Sequence, residues 1–161
     1  MNSDFRMVSE VGLTAKRAAA PLFKNKGNSL ATKNGLRYEN RVHRQLQHHV
    51  GLRHFHRVEH NPWFLFSDVY GASSCCPDFL LWLDDHVIIT EVKLTWVGEA
   101  AQKLIELYRP VVKEALGVDV SPLIIVKNLT PFSPPASPSL REALMSPHKL
   151  LHYFDAGRML W

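Results

Sequence analysis

The stretch that most restricts the fold runs from Pro77 to Trp96, PDFLLWLDDHVIITEVKLTW. Two β-rich apolar runs flank Asp84-Asp85, and they read as strands over about 77–83 and 87–94 joined by a tight turn. A two-residue turn pairs Leu83 with His86, and a symmetric four-residue loop gives the same register. In that register Asp78 lies directly opposite Glu91, so both side chains point to one face of the sheet. Lys93 is two positions along from Glu91 and shares the face.

Like charges directly opposite each other destabilise a sheet. A cation between them reverses the sign. Carboxylate oxygens suit Mg²⁺ or Mn²⁺, which commonly take one or two carboxylates, several waters and a substrate phosphate. Lys93 beside such an ion can orient an attacking water or neutralise charge developing on a phosphate. The competing reading makes Asp78 a strand cap and Glu91–Lys93 an ordinary edge pair.

Residues 35–50, GLRYENRVHRQLQHHV, have the period of a helix. Tyr38, Val42, Leu46 and Val50 form one apolar stripe, and Arg37, Arg41, Arg44 and His48 form the opposite, basic face. Glu39 falls inside the apolar stripe, where a lone carboxylate is costly. A metal site beneath the helix gives it a reason to be there, as a third carboxylate.

The rest of the chain predicts an α/β fold in the order α-β-β-β-α-β, a mixed sheet flanked by helices. Residues 53–67 read as a strand or hairpin broken at Asn61-Pro62, and 70–76 as a loop. Residues 98–116 read as an amphipathic helix kinked at Pro110. Residues 121–127 read as a buried strand. Three parts are expected: a basic arm over 1–34, the core over 35–130, and a proline-rich loop with a helical extension over 131–161.

The 161 residues are enough for one domain with a real core. No apolar run approaches the ~20 residues of a membrane helix, so no membrane is expected. The N-terminal Met-Asn-Ser-Asp is not a basic segment leading into an apolar one, which argues against a secretory signal. Cys75 and Cys76 are the only cysteines, and sequence neighbours rarely form a disulfide, which points to a reducing, cytoplasmic compartment. Residues 1–60 carry eleven Lys and Arg against four Asp and Glu, and the remainder eight against eleven. That asymmetry suggests a polyanionic partner. Lys16, Arg17, Lys24, Lys26 and Lys33 extend the basic face of the helix and could track a phosphate backbone with it.

Pro77, Asp78, Glu91, Val92 and Lys93, spaced across a hairpin, resemble the PD-(D/E)XK nuclease superfamily. The helix GLRYENRVHRQL resembles the first helix of archaeal Holliday junction resolvases and related phage nucleases, with Glu39 at its carboxylate position. The resemblance implies a restriction-endonuclease-like αβββαβ core and divalent-metal-dependent hydrolysis of DNA phosphodiesters. Asp78 and Glu91 would hold metal with the Val92 carbonyl and Glu39, and Lys93 would assist the nucleophile. Some members carry a Gln and a Tyr one turn apart on the following helix. Here Gln102 and Tyr108 are six apart, and Gln102 is the accessory candidate. With little room for a separate recognition domain, specificity is expected from DNA shape, a homodimer or a partner protein. The alternative is a non-catalytic DNA-binding or assembly module that keeps the nuclease fold.

Six of the nine histidines lie within 43–60, but their spacing with Cys75 and Cys76 fits no zinc pattern. Trp63, Trp82 and Phe64 read as core, and Trp96, just past the motif strand, as a candidate for base stacking.

Overall fold

The computed structural model describes residues 6–21, 29–145 and 150–161. Strand β1 (Thr14–Ala18) precedes a long helix α1 (Leu30–Gly51) and a short strand β2 (Arg57–His60). Two hairpins follow, β3 (Trp63–Asp68) with β4 (Gly71–Cys75), and β5 (Phe79–Trp82) with β6 (His86–Thr95). A continuous helical stretch comes next: α2 (Gly98–Lys103), a π-helical turn (Leu104–Tyr108) and α3 (Arg109–Leu116). Strand β7 (Asp119–Asn128), helix α4 (Leu140–Leu144) and strand β8 (Leu151–Phe154) complete the order.

The strands form a mixed five-stranded sheet, β2-β5-β6-β7-β8, and an antiparallel three-stranded sheet, β1-β3-β4. In the larger sheet β2, β5 and β6 run antiparallel, while β7 and β8 run parallel to β6. Strand β7 is buried on both faces, as its unbroken apolar run Leu123–Val126 requires. Tyr38, Val42 and Leu46 of α1 pack with Phe79, Leu81, Ile88 and Ile125 on one face, where α4 joins them. Leu80, Val87, Ile89 and Ile124 face the other way, against α2–α3 and against Phe64 and Phe66 of the small sheet.

Local chemistry explains several boundaries. Ser29 caps α1 by accepting a hydrogen bond from the Thr32 amide at 3.1 Å, so the helix starts at Leu30, five residues before the expected start at Gly35. At Gly117 (φ 67°) α3 ends in the left-handed conformation that glycine tolerates best. Asn61, with φ 53°, turns the chain out of the large sheet into the small one, so 53–67 is two strands in different sheets rather than a hairpin.

Within the basic arm expected over 1–34, the described residues include a strand and a docked side chain. Residues 14–18 are β1, the edge strand beside β3, and Arg6 binds Asp68 at 2.8 Å. Residues 71–75 are a strand rather than a loop, because Gly71–Cys75 pairs with Phe64–Asp68. The segment after α4 contains β8, which adds a fifth strand where only a helical extension was expected. Pro110 does not break its helix. The proline lacks the amide that would bond the Glu106 carbonyl, and the Val8 amide supplies that bond at 3.3 Å. The turn before it widens, so that the Arg109 amide bonds the Leu104 carbonyl five residues back.

Candidate active site

The β5–β6 register is the one the sequence implies. Phe79 pairs with Thr90 and Trp82 with Val87, and the Leu83 amide bonds the His86 carbonyl across the turn. Continued by one residue, this pairing sets Asp78 opposite Glu91. The contact is direct: the Val92 amide donates to Asp78 Oδ2 at 2.8 Å. Val92 therefore acts on the site first through its N–H. Both carboxyl groups belong to the face that packs on α2–α3.

Glu91 is only 3% exposed. Burial pushes its carboxyl above the usual range, while the Lys103 and Lys93 ammonium groups pull the other way. Asp78 is pushed well up, first by burial and then by the charges of Glu91 and Glu39. Lys93 Nζ lies 3.8 Å from Glu91 Oε2, too far for a hydrogen bond but close enough to act as a counter-charge. With its side chain 39% exposed, Lys93 is the group of this set most open to solvent or substrate.

Glu39 arrives from the opposite face. Helix α1 packs on the Phe79 side, and Glu39 reaches the site at the end of the short edge strand β2. There it bonds His60 Nε2 at 2.8 Å and shares a carboxyl–carboxyl hydrogen bond with Asp78. The His60 ring stacks on Phe79 at 4.8 Å, which fixes its position. The residue that the helical pattern left stranded is thus part of a three-carboxyl group.

Among the described residues, no group of three or more His, Cys, Asp and Glu side chains is placed to hold a metal ion. Mg²⁺ does not need such a group, since it keeps several waters and uses one or two carboxylates. The structure fits that weaker demand. The Asp78 carboxyl lies near both Glu91 and Glu39, whose charges push its pKa up, and a cation would relieve that repulsion. Asp78 and Glu91 would hold the ion, with Glu39 beside them.

The sequence did not assign His60 or Lys103 to the site, and it set Tyr108 aside in favour of Gln102. His60 orients Glu39. Lys103 is the leading counter-charge on Glu91. Tyr108 is buried, donates its hydroxyl to the Cys76 carbonyl at 3.3 Å, and has its pKa pushed up by burial and by Glu91 and Asp78. Lys103 and Tyr108 are five apart, and the π-helical turn brings the ammonium to 5.1 Å from the ring. Gln102, one residue away, points outward and is exposed.

The basic face of α1 divides in two. Arg37 and Arg44 are exposed and line a cleft of about 620 Å³ with Arg41, Lys127 and Asn128. Arg41 is half-buried and pairs with the buried Asp155 at 3.4 Å, so it also serves the fold. His48 is exposed further along, in a second depression with Arg44 and Arg158. Lys33 is exposed near the start of α1, and Lys16 and Arg17 lie on β1, where Arg17 pairs with Glu59. Lys24 and Lys26 lie outside the described residues. Trp96 is half-buried, edge-on to His152 at 4.6 Å, so it packs rather than offering an open ring. No helix among the described residues is long and apolar enough to cross a membrane.

The chain matches no protein-family model, no curated protein and no solved structure at a significant level.

Proposed function

We propose that this protein is a divalent-metal-dependent nuclease of the PD-(D/E)XK kind that hydrolyses DNA phosphodiester bonds. The observation that carries the reading is the convergence of Asp78, Glu91 and Lys93 on one sheet face, with Glu39 bonded to Asp78 from the other side. Asp78 and Glu91, set side by side with Glu39 nearby and with their carboxyl pKa values raised mainly by burial, have little value for stability. They have clear value as a cation site. The element order gives further support. Helix α1, strands β2, β5 and β6, the helix α2–α3 and strand β7 follow the αβββαβ order, with β3–β4 inserted after the first strand.

A divalent cation held by Asp78 and Glu91 supplies Lewis-acid activation of water and screening of phosphate charge. The protein's own groups do the rest. Lys93 positions the attacking water and neutralises charge developing on the phosphate as the P–O bond to the leaving sugar oxygen breaks in line with attack. Glu39, held by His60, keeps Asp78 in place. The cleft along Arg37, Arg44 and Lys127 can seat the phosphates of the flanking strand. A structure-directed endonuclease, resolvase-like, is the subtype this reading favours.

The test is cleavage of supercoiled plasmid, linear duplex, single strands and a four-way junction in Mg²⁺, Mn²⁺ or EDTA, beside Lys93→Ala. Metal-dependent cleavage lost in the variant supports the proposal. Absence of cleavage, with DNA binding unchanged by the variant, would replace it with the non-catalytic DNA-binding module.

A further inference from the structure

Strand β4 closes the small sheet on one side, and its outer edge is bare. The two-residue turn at Val69-Tyr70 makes Asp68 and Gly71 a hydrogen-bonded pair, so bonding to β3 runs through Gly71, Ser73 and Cys75. The N–H and C=O groups of Ala72 and Ser74 therefore point away from β3. Among the described residues, none of these main-chain groups finds a partner. The other sheet edges are guarded. Strand β1 carries Lys16 and Arg17, β2 is four residues long with Arg57 and Glu59 among them, and β8 is bridged by Ser137 at Tyr153. Strand β4 has no charge and no proline, and all of it except Cys75 is exposed.

We infer that β4 pairs with the β4 of a second copy of this chain, antiparallel about a two-fold axis at Ser73. This pairing is independent of the nuclease reading. It sets Ala72 opposite the partner's Ser74, and Ser74 opposite the partner's Ala72. Each such pair exchanges both of its main-chain hydrogen bonds, so every bare group on the edge is used. The two small sheets become one, three strands from each copy. A shift that brought Cys76 into the pairing would ask for its carbonyl, which the Tyr108 hydroxyl already holds at 3.3 Å. A second copy is the occupant that this edge fits, because an isologous contact needs a strand that matches itself. Alanine and serine side chains let two strands close to about 4.8 Å without a clash, and no like charges meet. Pairing β1 with itself would set Lys16 and Arg17 of two copies side by side, a repulsive arrangement. Continued one pair beyond the strand, the register carries Tyr70, 73% exposed at the turn, against the partner's Cys76. Symmetry repeats that burial on the other side of the axis.

Two arms test this. On the axis, the two Ser73 residues form a non-hydrogen-bonded pair with Cα atoms about 4.5 Å apart, inside the range of a disulfide. The two Ser74 residues are out of register with each other and exceed the ~7 Å limit. Cys75 is buried, so a Cys76→Ser background removes the competing thiol. In that background, Ser73→Cys should cross-link two chains under mild oxidation at least about fivefold faster than Ser74→Cys. Equal rates, or a faster Ser74→Cys, overturn the inference. The second arm is sedimentation over a concentration series. Wild type should pass from one chain to two. Ser74→Pro should stay single, because proline removes an amide that faces the open edge and no bond within the sheet. A wild type that stays single throughout, or a folded Ser74→Pro that pairs as wild type does, also overturns the inference. If Ser74→Pro does not fold, the cross-linking ratio decides alone.

Discussion

The β5–β6 hairpin carries two acidic pairs, one at each end, and they live under opposite conditions. At the turn, Asp84 and Asp85 are exposed, at 89% and 86% of their side chains. Asp84 pairs with His56, and Asp85 bonds His86, which holds the Asp85 carboxyl below its usual range. At the other end, Asp78 and Glu91 face each other, Glu91 buried and Asp78 partly so, and desolvation raises both. The turn pair is there to keep the loop wet. The inner pair works against the fold around it, and a site that burdens its own scaffold is where function is to be sought.

Breaking the inner end should cost activity and spare the fold. Lys93→Ala should lower metal-dependent cleavage by about 10²- to 10⁴-fold, the usual worth of a positioned proton-handling group, with no fall in melting temperature. Asp78→Asn should abolish cleavage and yet stabilise the protein in EDTA at neutral pH. The sign follows from the raised pKa. The fold favours the acid form, so that part of stability is full below the ordinary carboxylate range near ~4 and is lost as pH rises through the raised value. Asparagine removes the loss. A rise in melting temperature of roughly 2–4 °C is expected, what about 1 kcal/mol produces in a domain of this size. As pH rises above the ordinary carboxylate range in EDTA, wild type should lose stability more steeply than the variant, read by calorimetry.

A smaller contrast divides the basic face. Arg44→Ala should reduce the slope of log K against log salt for DNA binding by about one, without affecting melting. Arg41→Ala should also lower the melting temperature, because it leaves Asp155 buried without its cation. The least effect belongs to the turn. Asp84→Asn and Asp85→Asn should leave both cleavage and melting temperature unchanged within error.

The inner site was legible because strand register is arithmetic: an even turn and a period of two fix which side chains face each other, and the pairing of Phe79 with Thr90 follows that rule. Glu39 was legible as a charge in an apolar stripe. What stayed hidden depended on contacts between distant segments. His60 finds Glu39 only because Asn61 turns the chain at the end of β2. Lys103 and Tyr108 meet through a π-helical turn, which shifts the helical phase that a 3.6-residue period assumes. Strand β4, GASSC, has no apolar alternation to announce it, and it exists because β3 offers an edge. Strand β8 is four residues long and is recruited by the open side of β7.

The central claim is that Asp78 and Glu91 form a divalent-cation site, and melting temperature against Mn²⁺ concentration tests it most directly. A ligand that binds only the folded state at a hundred times its Kd adds about 2.7 kcal/mol, or roughly 5–10 °C here. Wild type should show that rise at neutral pH, and Asp78→Asn should begin higher and stay flat. A wild-type curve that does not move with Mn²⁺, or one that the variant follows in parallel, would contradict the account.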